Sequence, residues 1–371
     1  MRLSKILAAA TVVTLTAAWV LPSERAEADR VRDSQWHIRS LKVAEANKIS
    51  SGQGIVVAVV DTGVYPHLDL RNNLLSGASV TSSGKDNGQI DPNGHGTEMA
   101  SLIAAHGRSN RVGVVGIAPR AKILPVKATN PDGTGNSSNS AAAIKWAVDH
   151  KADIVNFSGA VGPSFGLQDA IKLADEKDVL VVAAAGNKRQ DVVAAYPAAM
   201  PGVLAVGASD QSGKPADFTV SSKTVQVCAP GVDIESAFPN NKYWNGQGTS
   251  EATAIVSGAA ALVRAKFPQL SAQEVIHRLT ATATDNGAPG RDNKCGYGVL
   301  NIVKALTADV PPLESSATPT TPPSQVPSTP AAASPETEPA SDNTPAIVGG
   351  VVIVLLVGGL AAFLITRRRR T

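Results

Sequence analysis

Residues 248–263 of this 371-residue chain read Gly-Thr-Ser-Glu-Ala-Thr-Ala-Ile-Val-Ser-Gly-Ala-Ala-Ala-Leu-Val. A glycine-rich turn at 245–248 precedes this run and Pro268 follows it, which predicts a helix that begins near Ser250 and ends before the proline. A helix that is apolar on all sides must lie inside the protein. Its first turn presents unpaired N–H groups and a partial positive charge, which favour an oxyanion beside Ser250. Ser250 could equally be a simple N-cap, so the hypothesis that it is a nucleophile requires a base elsewhere.

Two further segments supply an acid and a base. Residues 55–60 form a continuous apolar run, typical of a strand buried on both faces of a parallel sheet, and Asp61 follows at its carboxyl end. His95 lies between Gly94 and Gly96 at the start of a second predicted helix, and the small glycines would let a peptide backbone approach it. An acid, a histidine and a serine can together activate a nucleophile for acyl transfer.

The three segments resemble the active-site signatures of the subtilisin-like serine proteases, the subtilases. They are Asp61-Thr62-Gly63, Gly94-His95-Gly96-Thr97 and Gly248-Thr249-Ser250, in the chain order known for subtilisin. The resemblance covers roughly residues 35 to 308. It implies a serine endopeptidase without a cofactor, in which Asp61 orients His95 and His95 takes the proton from Ser250. It also implies a subtilisin-like α/β fold of three layers, with a mostly parallel central sheet and helices on both faces.

The pattern of the chain between residues 51 and 307 points independently to the same fold class. Apolar runs typical of buried strands alternate with helical patterns, which indicates a parallel sheet covered by helices on both faces. Strands are predicted at 55–60, 123–127, 154–158, 179–185, 203–207 and 225–228, and helices at 98–105, 137–150, 167–177 and 250–266.

The resemblance assigns roles to three further places. Asn187 follows the predicted strand 179–185, and in the family the asparagine at this place donates its amide to the oxyanion. The segments Ser158-Gly159-Ala160 and Gly133-Thr134-Gly135 match those between which the extended substrate backbone is bound. From the residues alone, Asn187 is also an ordinary turn asparagine and the two segments are ordinary glycine turns.

Three positions depart from the usual family pattern. Ala254 stands where most subtilases have proline, Glu98 where histidine or an apolar residue is common, and Glu251 where methionine is common. The two glutamates could favour basic substrate residues, or they could only favour the N-termini of their helices. The second interpretation is preferred because acidic side chains stabilise the first turn of a helix.

The cysteines and histidines give no sign of a metal site. Cys228 and Cys295 are the only cysteines, and an even count in an exported chain predicts one disulfide, with two separate thiols as the alternative. Asp69 matches a position that binds calcium in some subtilases, but no ligand loop accompanies it. The histidines other than His95 are predicted to be surface or packing residues: His37, His67, His106, His150 and His277.

The two ends of the chain predict export and membrane anchoring. Residues 1–28 have the features of a signal peptide, with an uncleaved anchor as the alternative, and residues 29–50 form an extension too short for a pro-domain. The catalytic domain is predicted at 51–308 and a linker rich in Pro, Ser and Thr at 309–345. An uncharged transmembrane helix follows at 346–366, with a basic cytoplasmic tail at 367–371.

This organisation resembles the mycosins, the membrane-anchored subtilases of type VII secretion systems. It implies a single-pass protein of the cell membrane with an extracytoplasmic catalytic domain and a cytoplasmic C-terminus. The implied substrate is a protein or peptide exported by such a system, and secretion membrane components are implied partners. A structural role in the secretion complex and a general degradative protease remain as alternatives. The net charge of +3 owes much to the arginines at 367–370 and does not indicate nucleic-acid binding.

Overall fold

The computed structural model describes residues 30–82, 86–109, 112–188, 194–286 and 289–313. The predicted signal peptide, most of the linker, the predicted transmembrane helix and the basic tail therefore lie outside the described residues. Within these ranges no helix combines the length and the apolar character needed to cross a membrane.

Seven strands of the described chain form one central sheet. They are β1 (Val56–Asp61), β2 (Ala78–Ser79), β3 (Lys122–Lys127), β4 (Ile154–Phe157), β5 (Leu180–Ala184), β6 (Leu204–Ser209) and β7 (Val227–Pro230). Their order across the sheet is β2-β3-β1-β4-β5-β6-β7, and every pairing is parallel. Most strand residues are Val, Ile, Leu or Ala, so the sheet must be covered on both faces.

Two layers of helices provide that cover and confirm the predicted three-layer fold. The helices are α1 (Trp36–Ser40), α2 (Val43–Ile49), α3 (His95–Ala104), α4 (Ser137–Asp149), α5 (Phe165–Glu176), α6 (Thr249–Lys266), α7 (Ala272–Ala281) and α8 (Ile302–Thr307). On one face α4 and α5 share an apolar cluster with strand residues such as Ala58 and Val155. On the other face α3, α6 and α7 share a cluster with Val57 and Val182.

Helix α6 is the predicted buried helix and lies at the centre of its layer. It contacts β4, β5, β6 and β7 as well as α3, and its residues from Ala252 to Val263 are all buried. Small side chains let it approach its neighbours closely. A Cβ at Gly258 would lie 2.7 Å from the Cβ of Ile117, so a larger residue there would force the two elements apart. The packing of α6 therefore determines the position of its first turn, which contains Ser250.

A two-stranded antiparallel hairpin was not predicted. It consists of β8 (Ile234–Phe238) and β9 (Lys242–Gly246), in which Asn245 pairs with Glu235. The predicted glycine-rich turn at 245–248 is thus partly a strand. The hydrophobic pattern did not predict β9, because most of this strand is exposed or half-buried and it shows no alternation of apolar and polar residues. Helices α7 and α8 were also missed, although Ser271 and Glu274 form a capping box at the start of α7.

The N-terminal extension packs on the surface of the domain. Trp36 and Ile38 rest against the larger apolar cluster, and Leu41 is buried in it. The indole N–H of Trp36 donates to the carbonyls of Val232 and Asp233, at 3.1 and 2.9 Å. These contacts hold the extension against the larger apolar cluster of the domain.

The predicted disulfide between Cys228 and Cys295 is present. It joins β7 to the segment between α7 and α8, with a sequence separation of 67 residues. Closing a loop of this length stabilises a fold by roughly 4 kcal/mol in the chain-entropy model.

The burial of His37 is a feature that the sequence did not specify. Its side chain is fully buried in α1, and neither ring nitrogen has a hydrogen-bond partner among the described residues. Burial, with a smaller contribution from the nearby Arg39, lowers the pKa of His37 to about 3. The imidazole is therefore neutral in the folded protein at neutral pH.

We expect acid to destabilise the fold through His37. The unfolded chain binds a proton at this residue below its ordinary pKa of 6.5, whereas the folded protein does so only near 3. Stability from this group is present above pH 6.5 and falls by up to about 1.4 kcal/mol per pH unit below it. Urea unfolding at pH 7.5 and 4.5 should show a smaller loss for His37→Leu than for the wild type. His150→Gln, at an exposed histidine, is the control, and equal losses in all three proteins would contradict this account.

Candidate active site

Adjacent parallel strands bring the predicted site residues to one edge of the sheet. Strands β1, β4 and β5 are neighbours, so their carboxyl ends lie together. Asp61 ends β1, Ser158 follows β4 and Asn187 follows β5, while Ser250 is the second residue of α6. These four residues and His95 line one cleft of about 580 Å³. A concavity of about 680 Å³ elsewhere, beside α1 and α8, has no histidine in its lining.

His95 and Asp61 form a close hydrogen-bonded pair. Nδ1 of His95 lies 2.8 and 2.9 Å from the two carboxylate oxygens of Asp61. The backbone N–H of Thr62 also donates to Oδ1 of Asp61, at 2.8 Å, and fixes the carboxylate. The Asp61 side chain is 5% exposed, whereas the imidazole is 34% exposed. Because Nδ1 faces Asp61, the opposite nitrogen Nε2 is the one that can exchange a proton with a group in the cleft.

Asp91 is a residue that the sequence analysis missed. Its buried carboxylate accepts hydrogen bonds from Thr62 Oγ1 and the Gly94 N–H, both at 2.8 Å. It also accepts from the N–H and the hydroxyl of Thr97, at 2.9 and 2.6 Å. Asp91 thereby ties the segment after β1 to the first turn of α3, and it fixes His95 relative to its acid. An aspartate three residues before a helix-opening glycine is the signal that could have found it.

Gly94 and Gly96 are required by packing, whereas the sequence analysis assigned them to the approach of a peptide backbone. Gly94 has φ = 102°, in the left-handed region, and a Cβ there would clash with the ring of Phe238 on β8. A Cβ at Gly96 would clash with the carbonyl oxygen of Gly63. Close packing of α3 against β1 and the hairpin requires both glycines, independently of any substrate.

Ser250 and Ser158 are joined by two reciprocal hydrogen bonds. The Ser250 hydroxyl donates to the Ser158 carbonyl at 2.9 Å, and the Ser158 hydroxyl donates to the Ser250 carbonyl at 3.0 Å. The Ser250 hydroxyl thus points to β4 in this conformation. Rotation about its Cα–Cβ bond would turn it towards His95, and such hydrogen bonds often form only when substrate is bound.

Two donors converge beside Gly248. The amide oxygen of Asn187 accepts from the N–H and the hydroxyl of Thr249, at 3.1 and 3.3 Å, which fixes the orientation of the amide group. A Cβ built on Gly248 would lie 3.5 Å from Nδ2 of Asn187 and 3.6 Å from the backbone nitrogen of Ser250. The amide nitrogen of Asn187 and the backbone nitrogen of Ser250 therefore lie close to one position beside Gly248, which Oε2 of Glu251 approaches to 2.9 Å. Backbone and amide donors of this kind can stabilise an anionic oxygen.

Two further carboxyl groups act on His95. Glu98 in α3 and Glu251 in α6 are buried, at 7% and 6% exposure. Burial raises the pKa of Glu251, and burial opposed by the charge of His95 raises the pKa of Glu98 to about 8. Burial alone would lower the pKa of His95. The negative charge of Asp61 and, to a smaller extent, those of the two glutamates have the opposite and larger effect, and they raise this pKa to about 10. A role confined to helix N-termini therefore does not describe these glutamates fully.

The predicted substrate segments border the same cleft with one exception. Its lining includes Gly133 and Gly135 on one side and residues 158–160 on the other, but not Thr134. Thr134 is held in a turn, where its N–H and hydroxyl donate to Asp132 at 2.9 and 2.6 Å. Gly159 and Ala160 have no backbone partner among the described residues, so their N–H and C=O groups are available to an extended peptide.

The Asp69 side chain has protein partners. Its carboxylate pairs with Arg108 at 2.9 Å and accepts from the Tyr243 hydroxyl at 2.9 Å and the Val114 N–H at 2.8 Å. The described part of the chain contains no group of three or more His, Cys, Asp or Glu that could hold a metal ion.

Comparison with known proteins places the chain among proteases. The family model described as the Subtilase family matches residues 52–298. Subtilisin Savinase of Lederbergia lenta is 39% identical over 272 residues, covering 73% of this chain and 97% of the relative. The thermostable alkaline protease of Halalkalibacterium halodurans is 38% identical, covering 73% of each chain.

Solved structures of type VII secretion proteases are also similar. MycP1 with its N-terminal propeptide removed matches with a TM-score of 0.69 and 31% identity, covering 75% of this chain and 98% of that one. The MycP3 protease of the ESX-3 type VII secretion system matches with a TM-score of 0.64 and 32% identity, covering 74% and 88%. The fold and the likeness to mycosins inferred from the sequence are thus confirmed.

Replacing Asp91 should impair turnover more than substrate binding. In Asp91→Asn the amide cannot accept all four hydrogen bonds, so the turn before α3 shifts and His95 loses its alignment. A displacement of about 1 Å at such a site lowers kcat on the order of 10²-fold. We expect kcat for a peptide substrate to fall while KM changes little, with the fold checked by circular dichroism. Asp210→Asn, in a surface turn closed by Ser212, is the control. A folded Asp91→Asn protein with unchanged kcat would refute the assigned role.

Proposed function

Since the chain belongs to the subtilase family and is a subtilisin-like serine protease, we propose that Asp61, His95 and Ser250 are its catalytic triad. Asn187 and the Ser250 N–H form the oxyanion hole. The observation that carries the proposal is the bidentate His95–Asp61 pair, which lies in one cleft with a serine at the head of a buried helix.

Acylation follows from this geometry. An extended peptide pairs with residues 158–160 and 133–135, which brings its scissile carbonyl to Ser250. The Ser250 hydroxyl turns from the Ser158 carbonyl to Nε2 of His95 and gives up its proton as Oγ bonds to the carbonyl carbon. The carbonyl electrons move to the oxygen, which accepts hydrogen bonds from Asn187 Nδ2 and the Ser250 N–H. The His95 imidazolium then protonates the leaving amine, and the C–N bond breaks.

Deacylation repeats these steps with water as the nucleophile. His95 takes a proton from the water, which attacks the acyl carbon, and the tetrahedral intermediate uses the same oxyanion hole. The proton returns to Ser250 Oγ as the acyl bond breaks. Throughout both halves, the Asp61 carboxylate stays ionised, holds the tautomer of His95 and stabilises its charged form.

We further infer that the protease is held at the outer face of the cell membrane and processes proteins exported by a type VII system. Support comes from its similarity to MycP1 and MycP3, which are secretion proteases. The uncharged run at 346–366 and the arginines at 367–370 support anchoring. One solved relative is described as an essential component of the ESX-1 system, which favours a structural role in the complex as the second candidate.

Loss of the proposed nucleophile or base should abolish hydrolysis. Ser250→Ala and His95→Ala should remove measurable peptide cleavage and leave the circular dichroism spectrum unchanged. Asn187→Ala should lower kcat on the order of 10²–10³-fold, a magnitude that comes from subtilisin itself and is transferred here. Asn72→Ala, at an exposed asparagine, is the matched control. Substantial activity of purified Ser250→Ala would disprove the mechanism. Export that survives Ser250→Ala but fails on deletion of the gene would favour the structural role.

Removing the C-terminal segment should release the protein from the membrane. The cut belongs after Pro312, because Arg278 donates to the carbonyls of Ala305 and Ala308 at 2.6 and 2.5 Å and thereby holds the end of the domain. The shortened chain should appear in the soluble fraction with full peptidase activity, while the full-length chain sediments with membranes. A shortened chain that still sediments with membranes would show that another segment is the anchor.

A further inference from the structure

We propose that Glu98 and Glu251 form a proton-sharing carboxyl pair that acts on His95 and sets the pH range of the protease. The inference rests on the proposed role of His95 as the catalytic base. Neither glutamate touches the reacting atoms in this scheme, so both are positioning residues that act through the charge of the imidazole.

The two carboxyl groups meet at Gly246, the last residue of β9. A Cβ built on Gly246 would overlap Oε1 of Glu251 and would lie 3.2 Å from Oε2 of Glu98. A glycine at this point makes room for both side chains. The other oxygen of Glu251, Oε2, lies 2.9 Å from the corresponding position at Gly248, at the edge of the cleft. Glu251 therefore spans from the cleft to the buried Glu98.

No basic side chain neutralises the pair. The charged groups that act on Glu98 are His95, Glu251, Asp61 and Asp91, so His95 is the only cation among them. Among the described residues, the N–H of Glu251 donates to its own carboxyl group, and no other hydrogen bond contributes to the pKa of either glutamate. Two buried carboxyl groups that converge on one glycine and share a single backbone donor cannot both ionise without a large free-energy cost, so the pair retains a proton at neutral pH.

The pair changes the protonation of His95 as the pH rises. Loss of the shared proton to solvent adds a negative charge beside the imidazole, and this charge stabilises the imidazolium form. His95 must be neutral to accept the proton of Ser250, so activity needs a more alkaline solution than Asp61 alone would require. The raised pKa values of Glu98, about 8, and His95, about 10, agree with this coupling.

The position of both glutamates in the first turn of a helix does not explain the arrangement. Glu98 is the fourth residue of α3 and Glu251 the third of α6, and a helix N-terminus stabilises the ionised form of an acidic side chain. That effect needs no contact between the two helices. Here both side chains are buried and converge on one glycine of a third element, which favours a coupled pair.

The test is the pH dependence of kcat/KM for an uncharged peptide substrate. We expect the acid limb of the wild-type profile to move to lower pH by on the order of one pH unit in Glu98→Gln and in Glu251→Gln. The double variant should move further, because both charges are then absent. At a fixed pH on the acid limb, a displacement of that size raises kcat/KM about tenfold. Glu176→Gln, at an exposed glutamate of α5, removes the same charge away from the cleft and should leave the profile unchanged.

Titration of His95 by NMR in Ser250→Ala proteins measures the same effect without activity. Its pKa should fall on adding Glu98→Gln or Glu251→Gln. Such a fall would support the pair, and it would do so even if the protein with Ser250 intact hydrolysed no peptide, a result that would refute only the proposed function. Unchanged titration of His95 in every variant would overturn the pair. An unchanged profile with a lost preference for Lys or Arg beside the scissile bond would assign Glu251 to substrate binding instead. Glu251→Met provides a second variant if Glu251→Gln fails to fold.

Discussion

Burial of one apolar helix beneath a parallel sheet is the constraint on which this structure depends. Helix α6 has to be covered on all sides, and strands β4 to β7 together with α3 provide that cover. The N-terminus of α6 is therefore positioned at the carboxyl edge of the sheet, where β1 and β4 also end. The position of Ser250 next to Asp61, His95 and Asn187 is a consequence of packing, and packing of this density holds side chains in fixed rotamers.

The same arrangement concentrates acidic groups around a single imidazole. In the proposed mechanism Asp61 orients His95, whereas Glu98 and Glu251 add two carboxyl groups that this mechanism does not use. An enzyme with apolar residues at these two places would avoid the cost of burying acidic groups. With Glu98 and Glu251 present, the protonation of His95 depends on the ionisation of this pair, and activity is lower in less alkaline solution.

The sequence predicted the fold, and it singled out candidate site residues that the structure brings into one cleft, because each left a strong local pattern. Apolar runs marked the buried strands, and the three motifs around Asp61, His95 and Ser250 marked the ends of their elements. The hairpin β8–β9 escaped because its second strand is largely exposed and carries no periodicity. The role of Asp91 and the hydrogen bonds between Ser158 and Ser250 were not predicted, because they depend on partners that are distant in the chain. The pairing of Glu98 with Glu251 required the meeting of two helices at Gly246, which single-sequence patterns do not encode.

If the chain is anchored by its C-terminus, as proposed, the disulfide has a mechanical consequence. Cys295 precedes α8, the last described helix, and is bonded to Cys228 within the core strand β7. Tension along the C-terminal segment would first detach α8 from the domain. Unfolding would then be halted at Cys295 by the disulfide. Beyond that point a covalent bond carries the load directly into the central sheet. The candidate site residues all precede Cys295 in the chain, so a load that enters the sheet through this bond bypasses the segments that hold them.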